Sequence, residues 1–128
     1  MRKLLLNLSY LLIISFFTSC STEEIYQDND ILGVWELSSF NDDATDTFTL
    51  VFGKNNSGLR ISDSEFNSGE TISNAVPFSW EKNDRVIKLL DIETAQNTYV
   101  ITEDSQLVSN TVQDLRLIKV SSDYSKFY

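Results

Sequence analysis

Few residues in this chain could do covalent or metal chemistry, and their types narrow the choices quickly. The 128 residues include one cysteine, Cys20, and no histidine. Imidazole-based triads and imidazole metal sites are therefore excluded, and no intramolecular disulfide can form. The sequence contains no Gly-x-Ser-x-Gly elbow, no Gly-rich phosphate loop and no Cys-x-x-Cys pair. Asp28-Asn29-Asp30 begins like a calcium loop, with Gly33 at the sixth position. Leu32 at the fifth position and Ser39 at the twelfth stand where oxygen ligands, finally a bidentate carboxylate, are required, so the loop fails. Asp42, Asp43 and Asp46 crowd the first loop and read as a solvated turn rather than as a weak site for a hard cation. The 19 acids are expected to solvate the surface rather than to form a catalytic pair. No catalytic residue, no metal, no cofactor and no enzyme activity are expected.

Charge excludes further partners. Lys and Arg number 10 against the 19 acids, a formal net charge of −9. Such a surface disfavours nucleic acid and anionic lipid headgroups as electrostatic partners.

What carries the elements is preceded by an address. Arg2 and Lys3 open the chain, Leu4 to Phe17 form a largely apolar run, and Thr18 and Ser19 lead to Cys20. Charge, apolar run and small residues in that order make a bacterial-type export signal over residues 1–19. The run is shorter than the ~20 residues a membrane-spanning helix needs. Phe17-Thr18-Ser19-Cys20 resembles the lipobox of bacterial lipoproteins, with Phe17 replacing the usual Leu. That resemblance implies diacylglycerol attachment at Cys20, cleavage before it, and acylation of the new amino terminus. Several acyl chains hold a protein at a membrane durably where one does not. Residues 21–30 carry four acids and no apolar period, and read as a solvated tether. The acidic run soon after Cys20 is similar to surface-export signals of Bacteroidetes lipoproteins, or is a plain spacer. The expected location is the bacterial outer membrane, periplasmic or cell-surface facing.

From Ile31 onward the hydrophobic pattern has period two, broken by Asn, Asp, Ser and Gly. Eight strands are expected, at 33–40, 47–53, 58–63, 76–82, 85–91, 98–103, 106–110 and 113–120. Phe48, Leu50 and Phe52 alternate with threonines and Val51, Leu59 and Ile61 with Arg60 and Ser62, and Phe78 and Trp80 with Ser79 and Glu81. The apolar member of each series is expected to face inward. Lys82-Asn83-Asp84-Arg85 suits a two-residue hairpin that sets Trp80 opposite Ile87 and Phe78 opposite Leu89. A three-residue loop at 103–105 pairs Ile101 with Leu107; a two-residue loop at Asp104-Ser105 would pair it with Val108. The first is preferred because it keeps Leu107 inward. Pro77 is expected to begin its strand. Successive hairpins hide their edges most simply by closing into an antiparallel eight-stranded barrel, with a β-sandwich as the alternative.

Ile31-Leu32-Gly33-Val34-Trp35-Glu36-Leu37 resembles the Gly-x-Trp opening strand of lipocalin-like domains. Thr47 to Phe52, Phe78-Ser79-Trp80-Glu81 and Tyr99-Val100-Ile101-Thr102 are similar to later segments of such domains in Bacteroidetes lipoproteins. The family's glycine-rich second turn appears here as Asn56-Ser57-Gly58. The resemblance covers residues 31–120, leaving 121–128 as a tail. It implies that Gly33 permits close packing at the barrel's start and that Trp35 closes one end.

Two functions follow from such a barrel. It binds a small apolar or amphipathic ligand, lined by Phe48, Leu50, Phe52, Leu59, Ile61, Phe78, Trp80, Ile87, Leu89, Tyr99 and Ile101. Alternatively these side chains fill it, and a structural or protein-interaction lipoprotein works through its outer surface.

Overall fold

The computed structural model describes residues 30–93 and 96–128. The export segment, Cys20 and tether residues 21–29 lie outside the described residues, and of the tether only Asp30 is described. Eight strands follow one another: β1 (Gly33–Phe40), β2 (Ala44–Phe52), β3 (Ser57–Phe66), β4 (Thr71–Asn83), β5 (Val86–Leu90), β6 (Thr98–Ile101), β7 (Gln106–Ser109) and β8 (Arg116–Ser121). Each pairs antiparallel with the next, and β8 pairs back onto β1, so the sheet is a closed barrel. That last ladder decides against the sandwich.

Three strands are longer than their sequence patterns suggest. β2 begins at Ala44, β3 runs to Phe66 and β4 starts at Thr71, because the register of β2, β3 and β4 continues without interruption through their polar halves. Backbone pairing there does not need an apolar stripe. β5 pairs only with Ser79–Asn83, so the first half of β4 is bonded to β3 alone and extends past β5. Pro77 lies within this half, not at a strand start as expected. A missing N–H is tolerated where one side of the strand has no partner.

Turn chemistry sets the registers. Asn55 and Asn56 both take positive φ, 58° and 57°, the conformation tight hairpins require and asparagine tolerates. They join β2 to β3 with Phe52 opposite Gly58. Between β4 and β5 the turn falls at Asp84-Arg85, with Asp84 at φ 55°. Trp80 therefore faces Leu89 rather than Ile87, and Lys82 faces Ile87. This is a correction of two residues, so every side chain keeps its expected face. The β6–β7 hairpin pairs Ile101 with Leu107, as the three-residue loop predicted, with Ser105 at φ 60°.

One strand reverses its expected face. Leu59 pairs with Val51 and Ile61 with Thr49, on the outside, whereas Arg60 pairs with Leu50 on the inside. Gly58 fixes this phase. It sits between Phe52 and Phe78 in register, and a Cβ on it would run into the Phe78 ring. The outer position is not a wet one everywhere. Val34 and Val51, paired on the outer face, are only 3% and 0% exposed. Phe127, from a 3-10 turn at Ser125–Phe127, shares a concavity with Val34, Thr49 and Ile61. The expected tail thus folds back over β1 and β2, which explains how apolar residues prosper outside.

Candidate ligand-binding site

The two ends of the barrel differ. At the end where β1 starts, Trp35 is fully buried and its indole N–H donates to the Ile31 carbonyl at 2.8 Å. The Lys119 ammonium lies 5.6 Å from the Trp35 ring centroid and donates to the Asp30 carbonyl at 2.9 Å. Lys82 pairs with the Asp30 carboxylate at 2.8 Å. Burial lowers the pKa of Lys119, and the charge of Asp30 works in the opposite sense. Gly33, at φ 134°, lets β1 pass against the Ser121 backbone, where a side chain would collide. A shallow concavity of about 400 Å³ remains here between Asp30, Trp35, Arg85 and Ile101.

The middle is packed. Leu50, Phe52, Phe78, Trp80, Ile87, Leu89 and Tyr99, all expected to line the interior, are buried in one cluster with Ile31, Trp35, Leu107 and Leu117. Phe52 meets Phe78 edge-on at 5.6 Å and Trp80 at 5.7 Å, the arrangement aromatic rings favour. The Trp80 indole N–H donates to the Ser57 carbonyl at 2.9 Å, tying the cluster to the β2–β3 turn.

The remaining candidates separate. Phe48 is half-buried at the overhanging end, in a concavity of about 290 Å³ with Leu37, Ser62 and Ser64. Ile101 is half-buried at the Trp35 end. Leu59 and Ile61 are outside, contrary to their expected inward facing. Ile61 lines a groove of about 730 Å³ with Thr45, Thr47, Thr49, Glu36, Asp63 and Glu65.

Two inward polar groups are of more interest than any of these. Tyr99 is 0% exposed, and its phenolic oxygen is buried with no hydrogen-bond partner. Burial pushes its pKa up to about 12, while the charge of Arg60 acts to lower it. Arg60 projects to the same interior from β3, between Leu50 and Val76. Among the described residues it makes no ion pair and no side-chain hydrogen bond. Sequence periodicity hid Arg60 because Leu59 and Ile61 imitate an inward series. The available signal was Gly58, a residue of the same phase facing two aromatic rings.

This is a closed antiparallel barrel with one end sealed, a filled waist, and an overhanging end where a cation and an unsatisfied phenol face inward. Comparison with family models, with curated proteins and with solved structures finds no match to this chain.

Proposed function

We propose that the chain is a lipid-anchored, lipocalin-like barrel protein that binds a small apolar or amphipathic molecule at its overhanging end. Residues 1–19 direct export, Cys20 carries the anchor, and residues 21–30 hold the barrel off the outer membrane. The observation that supports binding is the buried, unpartnered Tyr99 hydroxyl. Buried polar groups are nearly always satisfied, and this exception is one that a ligand's acceptor atom would satisfy. Half-buried Leu37, Phe48, Ile92 and Leu115 pack on the core beneath that end and offer apolar surface to a short chain. The waist leaves no room for a deep calyx, so the ligand is small or inserts only partway.

A second reading has its own support. The packed aromatic waist, with Phe40 81% exposed and Ile118 and Val120 on the outer face of β8, suits a filled barrel that works through its surface.

Saturable change in tryptophan emission on adding hydrophobic probes tests the first reading. Stoichiometry near one supports it, and absence of saturable binding to folded protein leaves the second. Anchoring is tested separately by detergent partitioning of Cys20→Ala. Normal membrane attachment of that variant would refute the lipoprotein reading.

A further inference from the structure

We propose that Arg60 and Tyr99 form a head-group site for a carboxylate, making the ligand an anionic amphiphile. This deepens the binding reading above and rests on it. The chain as a whole is acidic, with a net charge of −9, so an inward arginine without a counter-ion is a local exception. Arg60 is half-buried, and a guanidinium partly withdrawn from water is ordinarily paired or hydrogen-bonded. Among the described strand residues, the carboxylate on the same inner face, Asp46, is already taken. It accepts from the Ser64 hydroxyl at 2.6 Å and from the Asn41 amide at 3.3 Å. It lies two inward positions beyond Leu50, the partner of Arg60.

Arg60 and Tyr99 are complementary toward one group. The guanidinium offers a fork of donors matched to two carboxylate oxygens. The phenol offers one more donor, and its oxygen is the buried atom without a partner. Arg60 is near enough for its charge to act on the phenol. A carboxylate between them satisfies both, neutralises the inward guanidinium, and leaves its alkyl chain to lie over Leu37 and Phe48. No proton transfer or bond change is involved. A neutral alcohol or sterol would leave the guanidinium unpaired, and a second cation would be repelled.

The test uses the chain from Ser21, which retains all of the described barrel. It is titrated with decanoate and with 1-decanol, one charged head against one neutral head on the same chain. Binding is read by tryptophan emission and, for carboxyl-labelled decanoate, by the ¹³C shift of the bound carboxylate through an acid titration. Decanoate is expected to bind at least tenfold more tightly than the alcohol and to stay ionised to lower pH when bound. Arg60→Gln and Tyr99→Phe should each cost decanoate roughly 10- to 100-fold, the range for a bond to a charged group, and leave the alcohol unchanged. If both ligands bind equally, or the variants weaken both alike, the head-group assignment is wrong while the binding reading stands. If neither ligand binds, both fall. Should Arg60→Gln fail to fold, the wild-type comparison of the two heads and the Tyr99→Phe titration decide the matter alone.

Discussion

Gly58 lies directly beneath the ring of Phe78, and a Cβ on Gly58 would occupy the space the ring fills. From this contact the facing of β3 follows, with Arg60 drawn inward and Leu59 and Ile61 turned out. Gly58→Ala is expected to force the ring from its edge-on seat against Phe52. The cost should be about 1–3 kcal/mol, as for other overpacked cores. Denaturant titration measures it, and an unchanged midpoint would show that the ring has room to move.

Trp80 belongs to the same cluster and spends its indole N–H on the Ser57 carbonyl. Trp80→Ala should lose about 3–5 kcal/mol. Against a domain stability of roughly 5–15 kcal/mol, that brings this barrel near unfolding. A loss under ~1 kcal/mol, the scale of surface substitutions, would contradict its place in the core.

Tyr99 carries a pH signature. Its pKa is raised from 10.0 to about 12 in the fold, so the folded state holds the phenolic proton more tightly than the unfolded chain. The stabilisation is fully present below pH 10 and is lost as pH rises from 10 through 12. Two pKa units correspond to ~3 kcal/mol. Tyr99→Phe should therefore flatten the alkaline limb of a stability–pH curve. At pH 7 the same variant should lose no stability and gain up to about 1 kcal/mol, since it removes a buried group without a partner. Urea titrations at pH 7 and pH 11, with and without the substitution, measure both effects. A large loss at pH 7 would mean that the hydroxyl has a structural partner.

The acidic residues after Cys20 are expected to influence which side of the outer membrane the protein faces. Glu23→Ala with Glu24→Ala should reduce protease accessibility on intact cells. Unchanged accessibility would reduce residues 21–30 to a spacer.

The barrel was legible in the sequence because period-two runs separated by Asn, Asp and Gly leave little choice but hairpins. Phe48, Leu50 and Phe52 face inward as their alternation indicates, and Leu107 falls opposite Ile101. The alternation misled at Leu59 and Ile61, where it is equally regular but the apolar series faces out. Pattern shows that two faces differ, not which is inner, and the outer face is itself partly covered by the chain's end. The strand lengths of β2, β3 and β4 were not legible, because their extensions are mostly polar, with only scattered apolar residues such as Phe66 and Ile72. Of the site, the sequence supplied Tyr99 as an inward residue. Arg60 was out of view until the facing of β3 was settled, since an arginine between two aliphatics reads as solvent-exposed.

Asp30 is the point at which mechanical force would enter the barrel. If the chain is held at a membrane through its amino-terminal end, tension passes along the backbone to this residue before it reaches β1. There the load divides. Lys82 grips the Asp30 carboxylate from β4, and Lys119 grips its carbonyl from β8. What passes on runs along the axis of β1, which is paired through all eight of its residues with β2 and at Val34, Trp35 and Glu36 with β8. A pull in that direction must slide many rungs at once rather than open them one by one. The domain is thus braced at Asp30, at the end of the barrel opposite its overhang, against traction applied through the amino-terminal end.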